Sequence, residues 1–295
     1  MKKADFEYIL KLLKSFAGWE FSDETFFVID KKVDAFLREK GYSRAEDLVA
    51  DLKGGNKALL WQVVEAMAMS DTCFFRDYSV FLGFENVVLP TLFEQNKNSK
   101  KLRIWSLGCS TGQETYSIAM IIKNKIKDFK SWNLDILGTD ISTPSISKAQ
   151  KGLYNSFEIQ NGMPARFMVE NFKQDRGVWE ANRELVNMTE FRRYNLLEEL
   201  TFPGNFDVIF CRNVLRFFDK ENQKKTIENI FAHQNPDSYL YLGWGERVES
   251  LKDYYEPVKG MKCLFKAKAK VSRAQNAPLQ KKGDVPSFVK PKNLL

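Results

Sequence analysis

From Arg103 onward the chain alternates short apolar runs with stretches of helical periodicity, and this alternation restricts the fold more than any other feature. A run such as Phe206-Asp207-Val208-Ile209-Phe210-Cys211 is apolar at nearly every position, which describes a strand covered on both faces. Strands and helices in regular succession form a largely parallel sheet with helices packed against it. The pattern predicts strands near residues 103–108, 134–140, 188–194, 206–212, 238–243 and 262–267, and helices over 112–127, 143–151 and 219–233. Ile118, Ile121, Ile122 and Ile126 share one face of the first helix; Asp219 is the expected N-cap of the last, with Ile227, Ile230 and Phe231 turned inward. Between Gly152 and Met188 the pattern is irregular, and Trp179 and Val186 point to a small hairpin.

Residues 1 to about 70 have a different texture. Phe6, Ile9, Leu10 and Leu13 share a helical face, as do Ile29, Val33, Phe36 and Leu37, then Leu59, Leu60, Val63, Val64 and Met67. The expected organisation is a helical N-terminal domain over 1–75, a linker and entry to the next domain over 76–101, and an α/β domain over 102–268 in which 153–187 is the irregular stretch. The tail over 269–295 combines three prolines with many lysines and few apolar residues, a composition expected to be disordered.

The 295 residues carry a formal net charge of +7, yet residues 266–295, with seven Lys, one Arg and one Asp, account for all of it. The remainder is neutral overall, so the folded body lacks the electrostatic footprint of a nucleic-acid binder. Four widely spaced cysteines without a CxxC pair argue against a zinc knuckle or a disulfide framework. His233 is the only histidine, which removes Ser-His-Asp triads and histidine-rich metal centres. No run reaches the ~18 apolar residues of a spanning helix, and the N-terminus has no apolar signal core. A soluble cytoplasmic protein without membrane insertion is expected.

Two strand ends carry the chemistry. Trp105-Ser106-Leu107-Gly108-Cys109-Ser110-Thr111-Gly112 runs from a strand through a glycine-containing turn into a helix, where backbone N–H groups can cradle a carboxylate or phosphate. The next strand, Leu134 to Asp140, ends on an acid suited to accept from both hydroxyls of a ribose. Together they describe a site for an adenosine-containing cofactor. The spacing is not that of a dinucleotide fingerprint, since Asp140 lies 28 residues past Gly112 and the glycines read Gly-x-x-x-Gly. No Gly-Lys-Ser/Thr follows, which excludes a P-loop. Taken alone, the same residues also fit a tight βα turn, with Asp140 capping the helix near Pro144.

Four segments in order settle between these readings: Thr72-Cys73-Phe74-Phe75-Arg76-Asp77, Ile104 to Met120, Gly138-Thr139-Asp140-Ile141-Ser142 and Phe206 to Val214. Over about residues 6–267 the chain closely resembles the CheR family of chemotaxis protein methyltransferases. The resemblance implies a Rossmann-like S-adenosylmethionine methyltransferase sheet, a small all-α N-terminal domain and a possible small β subdomain. It implies cofactor contacts from Ser70, Thr72, Arg76, Gly108, Glu114, Asp140, Asn195, Leu196, Asn213 and Val214. Glu114 is expected to face the cationic methionine end, Asp140 the ribose, and Asn195 and Asn213 the polar edges of adenine and cofactor. The implied reaction esterifies glutamate side chains of chemoreceptors, with the cytoplasmic helical bundle of the receptor as partner, S-adenosylhomocysteine as product and a monomeric enzyme. Arg76 is the expected fork for the acceptor carboxylate.

Departures from the family pattern bear on this reading. Ser70 stands where the family usually has Asn, and Phe217 where it commonly has a catalytic-site tyrosine. Leu242-Gly243-Trp244-Gly245-Glu246 replaces a pattern with His-Ser after the glycine. The second helix, usually arginine-rich, presents mixed charge; Lys31, Lys32 and Arg38 could dock a partner, although charges in this pattern more often form a solvated helix face. Two further readings stand beside the leading one: a non-catalytic cofactor-binding regulator, and a methyltransferase for a different macromolecule.

Overall fold

The computed structural model describes residues 1–200 and 204–269, so nearly all of the expected basic tail lies outside the described residues. The chain begins with four helices, α1 (Lys3–Ala17), α2 (Asp23–Lys40), α3 (Ala45–Lys53) and α4 (Lys57–Met67). Ile9, Leu13 and Ala17 recur every four residues on α1 and are buried; Gly18, in the left-handed region, ends the helix by donating its N–H to Lys14 O. Asn56 caps α4 by accepting from Leu59 N–H (3.0 Å). These helices share a core centred on Ile29, Val33, Val63 and Val64. Lys32 turns toward the end of α4, away from both the docking role and the solvated face considered for it. Its Nζ donates to Ala66 O (3.2 Å) and Ala68 O (2.8 Å), closing the end of α4, and burial lowers its pKa.

The stretch read as a linker is helical as well: α5 (Tyr78–Gly83) continues through a π-helical turn, Phe84–Val88, into α6 (Leu89–Asn96). Then follow β1 (Lys101–Leu107), α7 (Gln113–Lys125), β2 (Asn133–Asp140) and α8 (Thr143–Lys151). After an insertion come β6 (Thr189–Arg193), β7 (Phe206–Cys211), α12 (Lys220–Ala232), β8 (Gln234–Leu242), α13 (Leu251–Tyr254), β9 (Tyr255–Pro257) and β10 (Leu264–Ala267). The strands form one sheet in the order β6-β2-β1-β7-β8-β10-β9. β10 runs antiparallel to both of its neighbours, and the other pairs are parallel. Alternation along each strand divides two cores: Ile104, Val208 and Phe210 face one side, Trp105, Ile209 and Leu240 the other. Asp219 caps α12 by accepting from Asn222 N–H (2.8 Å), as its position predicts.

The insertion is a three-stranded antiparallel sheet, β3 (Leu153–Asn155), β5 (Val178–Ala181) and β4 (Phe172–Asp175), with α9 (Ser156–Gln160), α10 (Ala165–Asn171) and α11 (Arg183–Asn187). Arg176 and Gly177, both at positive φ, make the two-residue turn between β4 and β5. Trp179 lies in β5 as the hairpin reading requires. Val186 does not: Asn182 accepts from Leu185 N–H (2.9 Å) and starts α11 there instead. No described helix is long and apolar enough to cross a membrane.

Candidate functional site

Strand order reverses between β1 and β7, because the chain leaves β1 toward β2 on one side and later returns to β7 on the other. Connections diverge at such a point and leave a crevice beyond the carboxyl ends of the strands. Here the crevice becomes a cavity of about 100 Å³. Gly108, Ser110, Thr139, Asp140, Asn213 and Val214 form its floor, and Ala17, Trp19, Phe21, Ala68, Met69 and Asp71 of the helical region form its roof.

The floor follows from local geometry. Gly108 has φ +68°, and a Cβ there would overlap Val214 Cγ2, so only glycine lets the turns after β1 and β7 meet. Asp140, at the end of β2, accepts from Ser110 N–H (2.8 Å) on one carboxylate oxygen and from Ser142 N–H (2.9 Å) on the other. The cap of α8 is Ser142, whose Oγ accepts from Ser145 N–H, so Asp140 is not the helix cap. Burial raises the Asp140 pKa, and the backbone donors oppose that shift. Each of its oxygens retains a lone-pair direction for a ligand hydroxyl.

The roof is fastened at several points. Asn195 Nδ2 donates to Phe16 O (2.8 Å), Glu20 N–H donates to Phe217 O (2.6 Å), and Thr143 N–H donates to Glu65 Oε1 (2.9 Å). The Arg193 guanidinium lies over the Trp61 ring at 4.2 Å.

Of the residues singled out in the sequence, Gly108, Asp140, Asn195, Leu196, Asn213, Val214 and Phe217 line the cavity. Four others stand back from it. Ser70 contributes its carbonyl to Ser110 Oγ (3.4 Å), and Thr72 follows Asp71 without lining. Arg76 pairs with Asp71, donating to its carbonyl (2.7 Å) and lying 3.3 Å from Oδ2. Glu114 departs from expectation most clearly: Oε1 accepts from Ser106 Oγ (2.8 Å) and Oε2 from Arg212 Nη1 (2.9 Å), so neither oxygen is presented alone to a cation. Asn195 likewise uses its amide on Phe16 O and Leu197 N–H, which leaves its contact with the cavity to other atoms.

Arg212 and the roof were missed by sequence reading. Arg212 looks like a polar tip at a strand end, yet its side chain is 1% exposed and spans Glu114 Oε2, Asp77 Oδ2 (2.6 Å) and Arg76 O (2.7 Å). Its charge at the end of a buried strand signals a need for partners, not their identity. Trp19 and Phe21 carry no signal that separates them from helical core residues.

The lining suits S-adenosylmethionine. A half-buried carboxylate with spare lone pairs matches a ribose diol, Trp19, Leu196, Val214 and Phe217 supply an apolar wall for a base, and the turn at Gly108 gives the backbone close approach. Among the described residues no cluster of His, Cys, Asp and Glu is arranged to hold a metal.

This sheet with its switch-point cavity defines an S-adenosylmethionine-dependent methyltransferase. Residues 70–264 match the family described as CheR methyltransferase, SAM binding domain, and the chain belongs to that family. It is 32% identical to the chemotaxis protein methyltransferase Cher2 of Pseudomonas putida, over 86% of this chain and 94% of that protein. Chemotaxis protein methyltransferase 1 of Pseudomonas aeruginosa is 31% identical, over 87% of this chain and 94% of its own. The corresponding Vibrio cholerae protein is 30% identical, with the same coverage of each chain. A solved magnesium protoporphyrin IX methyltransferase from Synechocystis PCC 6803 is 17% identical over 59% of this chain and 61% of that one, with a TM-score of 0.30.

Proposed function

We propose that this chain transfers the methyl group of S-adenosylmethionine to glutamate side chains on the cytoplasmic helical bundle of a chemoreceptor, forming methyl esters. The observation that carries the reading is the cavity at the switch point, with Asp140 in its floor and its rim beside the Arg76–Asp71 pair. When bound, the sulfonium supplies a methyl group already electrophilic without a metal. The acceptor needs no general base, because a glutamate with a reference pKa of about 4.3 is ionised near neutral pH. The protein's work is then to position and desolvate, which a chain with one histidine can do.

In this reading Asp140 holds the ribose, and Leu196 and Val214 pack against the base. Arg76 already grips a carboxylate, that of Asp71, whose side chain is 89% exposed. An exposed pair of this kind has little net stability, so an incoming glutamate can exchange for Asp71 on the same fork. Thr72 sits on the segment between the two. One chain supplies both floor and roof, in keeping with a monomeric enzyme.

Radiolabelled S-adenosylmethionine incubated with receptor-containing membranes should yield label that alkali releases as methanol, the behaviour of an ester. Alkali-stable label, or none from protein that binds S-adenosylhomocysteine, would overturn the reading. Phe217 supports a second experiment: its ring lines the cavity but offers no hydroxyl. Phe217→Tyr is expected to raise kcat by about three- to tenfold, as an added donor near the reacting groups can. An unchanged rate would show that the site works without that hydroxyl.

A further inference from the structure

We infer that Glu246 is a positioning residue that holds the loop after β7, and with it the cofactor-facing Asn213 and the acceptor-facing Phe217, in the competent conformation. The inference rests on the cofactor site proposed above. Asn213 adopts φ +61°, a conformation unfavourable for most side chains and tolerated best by Asn and Asp. Something must hold it there. Glu246 reaches across from the loop after β8: Oε2 accepts from Gly243 N–H (2.6 Å) and Asn213 N–H (2.8 Å), and Oε1 accepts from Arg216 N–H (3.1 Å).

One carboxylate therefore ties two loops and both ends of the Asn213–Arg216 segment. Gly243 is part of the same device. A Cβ at that position would lie 2.7 Å from both Asn213 N and Glu246 Oε2, and 2.8 Å from Asn213 Nδ2, so a side chain would displace the carboxylate. Burial raises the Glu246 pKa, and the three backbone donors, then the Arg216 charge, oppose that shift. Glu246 does not line the cavity. Its effect on the cofactor passes through Asn213 and Val214, and its effect on the acceptor through Arg216 and Phe217.

Removing the carboxylate leaves three backbone donors without their acceptor and frees Asn213 to leave the left-handed region. Glu246→Ala is expected to raise the Kd for S-adenosylhomocysteine by about tenfold or more, as loss of charge-assisted hydrogen bonds does. Glu246→Gln keeps one oxygen, which can serve the Gly243–Asn213 donor pair while its NH2 turns toward Arg216 N–H. It should therefore bind within about threefold of wild type yet lose about tenfold in kcat, a split a uniformly loosened fold would not produce. If Glu246→Ala does not fold, Gly243→Ala keeps the carboxylate in the chain and should weaken binding in its place. Titration calorimetry on the full chain, with Asp140→Ala in parallel, decides the matter. Weakened binding in Asp140→Ala beside unchanged binding in Glu246→Ala or Gly243→Ala overturns the clamp alone, as does Glu246→Gln binding no better than Glu246→Ala. Unchanged binding in Asp140→Ala instead overturns the cofactor site on which the clamp depends.

Discussion

Arg212→Ala is expected to destabilise the folded chain by about 3 kcal/mol, because it strips the counter-ion from two carboxylates at once. The guanidinium is buried among Glu114, Asp77 and the Arg76 carbonyl, and its face lies 5.5 Å from the Phe81 ring. Glu114 is only 12% exposed, so it cannot recover full hydration when the arginine is removed. Asp77 is more accessible, at 33%, and its loss is correspondingly smaller. Arg212→Lys should recover less than half of the effect, since a point charge cannot replace a fork spanning two carboxylates and a carbonyl. Urea denaturation of the three proteins measures this, and a loss below about 1 kcal/mol for the alanine variant would show that the network is worth no more than a surface pair. Because the network connects the end of β7 to α7 and to the segment bearing Arg76, methyl transfer should fall in the same variants at temperatures where they remain folded.

Asp140→Ala should weaken cofactor binding by about 1–3 kcal/mol, with little change in kcat at saturating cofactor. The alanine removes the proposed acceptor for the ribose and also leaves Ser110 and Ser142 N–H without this acceptor, so the turn after β1 loses a tie to β2. Asp140→Asn separates the two contributions, for its oxygen can keep one of those donors. Calorimetry with S-adenosylhomocysteine that finds all three proteins equal would remove Asp140 from the site. A pH signature accompanies the prediction. Burial raises the Asp140 pKa, so the carboxylate is lost at a higher pH on acidification than an ordinary aspartate, and affinity should fall with it. The effect on folding has the opposite sign. A raised native pKa means the folded chain binds the proton more tightly, a contribution present below the unfolded pKa and lost as pH rises through the folded one.

Much of the fold was legible because strand and helix periods report burial locally. The continuous apolar run of β7, the isoleucine face of α7 and the Asp219 cap needed only near neighbours to be recognised. The turn at Gly108 and the acid at Asp140 were legible as strand ends for the same reason, but on their own they fitted a plain βα turn equally well, and only the four segments together pointed to a cofactor. The partners of Arg212, Glu114 and Asn195 were not legible. The paired residues lie 98 positions apart for Arg212 and Glu114, 135 for Arg212 and Asp77, and 179 for Asn195 and Phe16. Val186 shows the local limit, where one β-branched residue was outweighed by an asparagine cap four positions earlier.

The sequence by itself determined the alternation of strand and helix, the family, and the strand ends proposed to meet the cofactor, because these depend on periodicity and on residue types at fixed spacing. Only the tertiary structure decided that the N-terminal helices roof the cavity, that Arg212 turns inward, and that Glu246 holds the loop bearing Asn213. A buried charge or a strained backbone announces that it needs a partner. Which group meets that need is settled by the folded path of the chain, since the donors and acceptors that satisfy it are adjacent only in space.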